Sequence, residues 1–309
     1  SWRNTASTNL DIIELIKRLD AEKRQATPEE QNLLQKYTGW GASELANNMF
    51  PGYARTGEID IEYLSGEKER IWKPLVERLM SALTPSEIKT AANSTQFAHY
   101  TSPSVIQSIY RAVEKFGFPG GKVLEPGMGV GHFFGLMPES MRGGSIYTGI
   151  EYDGITAAIA KQLYPNQNVL HSDFTKQNFP NDFFDIGIGN PPFSNTPILV
   201  DQDYKKLRFA LHDFFFAKTL DKVKPGGLLV FITSRYTMDK KSDKVRNYLA
   251  ERADLLGAIR LPQTAFKENA GTEVVTDVLF LRKKIPGEET TGKNWKDVAE
   301  ISVPDAEEK

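Results

Sequence analysis

The residues best suited to chemistry are Asn190-Pro191-Pro192-Phe193, directly after the apolar run from Phe183 to Gly189. Proline restricts the residue before it to extended backbone, so Asn190 and Pro191 are both held extended. The Asn190 side-chain oxygen and the Pro191 carbonyl can then point one way as paired acceptors, with Phe193 offering a face for stacking. Such a group suits a flat, amino-bearing ligand. The plainer reading is a proline-rich strand-to-loop turn with a capping Asn.

Further candidates follow other apolar runs. Glu125-Pro126-Gly127-Met128-Gly129-Val130-Gly131 follows Lys122-Val123-Leu124 and lacks a side-chain barrier to a close-lying ligand. Glu151 ends Tyr147-Thr148-Gly149-Ile150 and stands where a ribose diol is gripped in nucleoside-binding sheets. Asp173-Phe174 ends Val169-Leu170-His171-Ser172 and offers an acceptor for an exocyclic amine beside a ring that can pack on a base. Taken singly, these are a structural glycine turn, a surface carboxylate and an Asp N-cap before Thr175. Four successive strand ends carrying suitable groups are far less easily accidental, because ligands of open α/β sheets bind beyond the carboxyl ends of the strands.

The elements that would position these groups change character along the chain. Up to about residue 95, Leu10, Ile13, Leu15, Ile16 and Leu19 recur at helical spacing, and Thr27-Pro28-Glu29-Glu30 reads as an N-cap with proline at the first helical position. Trp72 to Leu83 is again helical, whereas Tyr37-Thr38-Gly39-Trp40-Gly41 is a breaker in which Trp40 reads as a packed ring rather than a binding aromatic. The expectation is a helical appendage over 1–95.

From Lys122 the pattern is strand, turn, helix, repeated, which implies parallel pairing. Gly154 to Leu163, Asp213 to Val223 and Lys244 to Arg252 read as helices; Leu228 to Thr233, Leu255 to Leu261 and Asp277 to Arg282 read as later strands. The fold class expected is α/β, a seven-stranded doubly wound sheet over 96–285, with 286–309 a polar, loose tail. Tyr236, after the fifth strand, reads either as a second wall of the site or as a core tyrosine. Lys205-Lys206-Arg208 and Lys240-Lys241-Lys244-Arg246 read as phosphate contacts or as solvated helix faces.

Composition narrows the function classes. At 309 residues, with 40% hydrophobic and 25% charged content, the chain can bury a large core. The absence of cysteine excludes disulfides, thiolate nucleophiles and cysteine metal sites, and His99, His132, His171 and His212 show no ligand spacing, so no metal is expected. No apolar stretch approaches a membrane span and Ser1-Trp2-Arg3-Asn4 does not open a signal peptide, so a cytoplasmic protein without a membrane partner is expected. A net charge of -2 carries no global signature of nucleic-acid binding.

The ordered set Phe97-Ala98-His99-Tyr100-Thr101-Ser102-Pro103, Glu125 to Gly131, Glu151, Asp173-Phe174 and Asn190 to Phe193 resembles the adenine-N6 DNA methyltransferases whose cofactor motif precedes the catalytic one. It resembles the modification subunits of type I restriction systems and the methylase segments of large methylase-helicase proteins of mobile elements, over roughly 95 to 285. The resemblance implies a Rossmann-like methyltransferase sheet, S-adenosylmethionine as cofactor, DNA as partner, and a bacterial, phage or plasmid origin. It places Tyr100, Thr101 and Pro103 over the methionine part of the cofactor. Glu125, Pro126, Gly127, Gly129, Gly131, Glu151, Asp173, Phe174 and Asn190 become cofactor-binding; Asn190, Pro191, Pro192 and Phe193 become catalytic, with Phe193 stacking on a flipped base. Two departures stand out. A target-recognition or helicase region is missing, so the chain looks like an excised catalytic core, and Met128 occupies a position where small or acidic residues are usual and would reshape the pocket. A protein-glutamine methyltransferase, an RNA base methyltransferase and a non-catalytic cofactor-binding module remain as alternatives.

Overall fold

In a computed structural model, residues 1–96, 100–262, 275–289 and 292–299 are described. Phe97, Ala98 and His99 of the segment before Tyr100 lie outside them. The amino-terminal region holds α1 (Trp2–Glu22), α2 (Pro28–Leu34), α3 (Ser43–Met49), α4 (Tyr53–Thr56), α5 (Glu67–Ala82) and α6 (Pro85–Ser94). Both α2 and α6 begin with a full capping box: Thr27 with Glu30, and Thr84 with Glu87, each followed by proline. A hydroxyl and a carboxylate satisfy helix-end N–H groups reciprocally while proline presets the backbone, which explains the sharp starts.

After α7 (Pro103–Lys115) the chain enters β1 (Lys122–Pro126), α8 (His132–Gly135), α9 (Glu139–Arg142), β2 (Ile146–Glu151), α10 (Gly154–Leu163), β3 (Asn168–His171) and β4 (Phe184–Gly189). There follow α11 (Leu211–Lys222), β5 (Val223–Ser234), α12 (Tyr236–Asp239), α13 (Lys244–Arg252), β6 (Ala253–Arg260) and β7 (Thr276–Lys283). The sheet order is β3-β2-β1-β4-β5-β7-β6. This is the expected seven-stranded doubly wound sheet: the parallel pairing read for the first four strands holds, and β7 runs antiparallel to both β5 and β6. The strand β5 also starts earlier than the apolar run alone implies. Val223 already pairs with Phe184 before a register irregularity, and Leu228 pairs with Ile186, so Lys224–Gly227 is a bulge within the strand rather than a turn before it.

Alternation sends neighbouring strand residues to opposite faces. Val123, Val230 and Phe280 pack with Ile106, Ile109 and Val113 of α7, while Leu124, Leu229 and Leu279 pack with Phe216, Leu220 and Leu249 of α11 and α13. The amino-terminal helices have a core of their own around Leu10, Trp40, Trp72 and Leu79, and that core continues into Val130, Ile155 and Ile159 of the sheet region. Trp40 is 1% exposed, a packed ring.

The segment after β7 is partly docked. Trp295 packs against the α11 face, and the Lys296 carbonyl accepts a 2.6 Å hydrogen bond from Arg246 Nε, so these two residues are docked while 292–294 and 297–299 are exposed. Among the described residues, no helix is long and apolar enough to cross a membrane.

Candidate functional site

Strand order reverses between β1 and β4, whose carboxyl ends flank the crevice where open α/β sheets bind ligands. A cavity of about 280 Å³ opens there. The chain brings Glu125, Gly127 and Gly129 to it from the turn after β1, Glu151 from the end of β2, Asp173 and Phe174 from the turn after β3, and Asn190 and Pro192 from the end of β4. Tyr100 and Thr101, ahead of α7, complete the set.

The remaining candidates support the site from behind. Pro103 opens α7 as its first residue, Pro126 closes β1, and Pro191 is buried under the turn. Gly131, at φ 87°, precedes α8 and leaves room for Tyr164: a Cβ there would stand 2.4 Å from the ring. Phe193 also lies outside the lining residues. Its half-buried ring meets His212 edge-on at 6.5 Å.

The glycine turn allows close approach for a specific reason. Gly127 and Gly129 have φ of 73° and 57°, the left-handed region, and a Cβ on Gly129 would stand 3.1 Å from the Tyr100 ring. Met128 is 4% exposed and its thioether lies over Gly149 of β2, yet it also lines the cavity, so it both fills the core and shapes the pocket wall.

Glu151 is not a surface carboxylate. Its two oxygens accept the Gly129 N–H at 2.9 Å and the Asp153 N–H at 2.8 Å, tying the end of β2 to the glycine turn and to the start of α10. These bonds orient the carboxylate and leave lone pairs for a ligand's hydroxyls. Burial raises its pKa to about 7. Glu125 is 2% exposed, and its Oε2 has no hydrogen-bond partner among the described residues. Burial, and then the nearby Glu151, push the Glu125 carboxyl well above the usual carboxylate range.

Asp173 does act as an N-cap, its Oδ1 accepting from the Thr175 N–H at 2.9 Å and the Thr175 hydroxyl at 2.7 Å, and it lines the cavity as well. Phe174 is 3% exposed and packs on Phe215 at 4.9 Å, so its ring is held by the core where it meets the cavity. Asn190 Nδ2 donates to Thr101 Oγ1 at 3.2 Å, which sets the plane of the Asn190 amide from the segment ahead of α7.

Several wall residues escape a sequence reading. Asp153 caps α10 through the Thr156 N–H at 2.9 Å; an Asp two residues after a strand-end Glu and just before a helix was the available signal. Tyr37 is 2% exposed and within hydrogen-bonding reach of Thr156, while the neighbouring turn is pinned by Asn9 of α1, whose amide bonds Gly39 O at 2.7 Å and the Thr38 N–H at 3.2 Å. Thr90, Asn93 and Ser94 of α6 reach the same cavity, with no local signal in their sequence. The amino-terminal helices are therefore a wall of the site as well as an appendage.

Two other expectations change. Tyr236 is 50% exposed with the Arg235 guanidinium 5.1 Å over its ring, so it is neither core nor part of the cavity lining. Arg246 is 1% exposed and hydrogen-bonds the Lys296 and Thr237 carbonyls, and Lys240 pairs with buried Asp213, which removes both from a free basic patch; Lys205, Lys206 and Arg208 do face solvent. Among the described residues no His, Asp and Glu group could hold a metal ion.

Comparisons with known proteins agree with this arrangement. Residues 146–266 match the model of the Eco57I restriction-modification methylase family. The chain is 30% identical over 190 residues to the defense against restriction protein B of Escherichia phage P1, a match covering 60% of this chain and 8% of that protein. It is 28% identical over 164 residues to a type II methyltransferase of Thermus thermophilus, covering 48% of this chain and 37% of the relative. The chain thus spans well under two thirds of these relatives. A type I restriction-modification methyltransferase subunit from Streptococcus thermophilus shares the fold at a TM-score of 0.50 and 15% identity, over 92% of this chain and 79% of that one. A modification subunit from Vibrio vulnificus YJ016 does so at 0.53 and 15%, over 92% and 75%. Residues 146–266 thus resemble the Eco57I restriction-modification methylase family, on a sheet whose fold two type I modification subunits share.

Proposed function

We propose that the chain transfers the methyl group of S-adenosylmethionine to the N6 amine of an adenine flipped out of DNA. The observation that carries this reading is the meeting of two unlike groups in one cavity: buried Glu125, with an unpartnered oxygen, and Asn190, fixed by Thr101 at the end of β4. An orphaned carboxylate oxygen in a buried site fits the ammonium of the cofactor's methionine part, and Glu151 fits its ribose diol. When bound, the cofactor supplies an electrophilic sulfonium methyl. The methylase family match and relatives named as modification enzymes support DNA as substrate.

An aromatic amine is a poor nucleophile because its lone pair is delocalised into the ring. Asn190 Oδ1 and the Pro191 carbonyl accept the two amine hydrogens, which favours a pyramidal nitrogen with its lone pair facing the methyl donor. Positioning and preorganised acceptors supply the acceleration; the product ammonium is acidic and loses its proton to water. Tyr100 closes over the methionine part, Asp173 accepts from the cofactor's own adenine, and Phe193 turns from His212 to stack on the flipped base.

The test is a methyl-transfer assay offering DNA, RNA and protein acceptors. Label should appear on DNA adenine N6, and Asn190→Ala should lower turnover by about 100-fold or more with cofactor affinity within a few fold. Label confined to RNA or protein, or undiminished turnover in Asn190→Ala, would overturn the reading.

A further inference from the structure

Lys218 is buried on α11, 3% exposed, among the rings of Phe174 and Phe214 at 5.1 and 5.6 Å. Its ammonium donates to the Phe174 carbonyl at 2.9 Å and to Asp201 Oδ2 at 2.6 Å. The first partner belongs to the turn after β3, which carries Asp173 into the cavity. The second belongs to the loop joining Asn190 to α11. Asp201, 7% exposed, anchors that loop: its Oδ1 accepts the Asp203 N–H at 3.1 Å and its carbonyl the Lys205 N–H at 2.8 Å. Neither Lys218 nor Asp201 lines the cavity.

We infer that Lys218 is a positioning residue that locks the cofactor-side turn after β3 to the loop following Asn190, so that both halves of the site are set from one ammonium group. The inference rests on the proposed methyl transfer. Filling a core is not sufficient reason for such a group, because well-packed apolar side chains often replace a buried ion pair with equal or greater stability. Apolar side chains cannot do what this one does. A carbonyl and a carboxylate from two separate loops are held at fixed geometry by a single multi-donor cation, and the charge-assisted bonds among them are the strong, directional kind.

The test compares the wild-type chain with Lys218→Met, Asp201→Asn and the double variant Lys218→Met, Asp201→Leu. S-adenosylmethionine affinity is read by calorimetry, and kcat and KM by methyl transfer to DNA. Lys218→Met should weaken cofactor binding by about tenfold and lower kcat at saturating cofactor by a similar factor, as expected for loss of a charge-assisted bond that sets geometry. Asp201→Asn touches no cavity wall, yet it should weaken cofactor binding severalfold through release of Lys218. The double variant should regain thermal stability as the apolar pair fills the space, while affinity and kcat stay low. A folded Lys218→Met or double variant with cofactor affinity and kcat within about twofold of wild type would overturn the inference and leave the proposed function standing. A wild-type chain with no affinity for S-adenosylmethionine would overturn both.

Discussion

Two acids at the strand ends make the site sensitive to protons. Glu151 has a pKa raised from 4.5 to about 7, chiefly by burial, and Glu125 is raised in the same direction. The folded state therefore holds these protons more tightly than the unfolded chain. The stability they contribute is fully present below pH 4.5 and is lost as pH rises to about 7 for Glu151. Glu151→Gln removes that loss, so its stability relative to wild type should be higher at about pH 8 than at about pH 5 in denaturant unfolding. An equal difference at both values would mean that Glu151 titrates normally. Binding of a cation beside Glu125 favours the ionised acid, whose proton burial holds, so cofactor affinity in calorimetry should increase as pH rises and Glu125 ionises. A flat profile would count against an ammonium at that oxygen.

Among the elements, α6 is the least expected contributor. Its carboxyl end carries Thr90, Asn93 and Ser94 to the cavity, and its amino end is set by Thr84 and Glu87 in a capping box. Lys17 of α1 pairs with the same Glu87, tying α6 to the helical core. Thr84→Ala should cost about 1 kcal/mol of stability, the usual cost of a lost N-cap. It should also weaken cofactor binding slightly. Unchanged unfolding in Thr84→Ala would show that packing, not the cap, holds α6. At the other side of the site, His212 at the start of α11 bonds the Ser194 carbonyl at 3.0 Å and packs on Phe193, so α11 steadies both the turn after Asn190 and, through Lys218, the loop beyond it.

The whole molecule is more unified than a catalytic sheet with attached helices. Leu10, Trp40 and Leu79 share one core with Val130, Ile155 and Ile159, and Gln162 of α10 bonds the Ala26 N–H at 2.8 Å. Residues 1–95 and 96–285 are proposed as two regions with one interface, and a fragment starting at residue 96 should be insoluble or lose cofactor binding. Full affinity in that fragment would show the helices to be dispensable. Net charge sets a second expectation. At -2 overall, with Arg246 buried and Lys240 paired to Asp213, the chain has no basic surplus for phosphates, which take half or more of protein–DNA hydrogen bonds. These 309 residues should bind duplex DNA weakly, and a longer chain or partner should restore affinity and sequence choice. Tight, sequence-specific binding in a titration would place the recognition surface in the amino-terminal helices.

What sequence alone determined here is local. The strands β1 to β4, the left-handed glycines of the turn after β1, the capping box at Thr27 and the acids at strand ends are each specified by a few adjacent residues, so their positions beyond the carboxyl ends could be read in order. The type of sheet followed from the alternation of strands and helices. Tertiary structure decided what depends on distant partners. The direction of β7 is set by its hydrogen bonds to β5 and β6, not by its own apolar run. Tyr37 and Asn93 reach the cavity only because a shared core presses the helices against α10. Arg246 looks like a surface cation in a charged helix and Lys218 like a lone cation after three phenylalanines, and only the carbonyls and carboxylate that surround them account for their burial. A side chain's partners across the fold, unlike its strand or turn, leave no trace in its immediate neighbours.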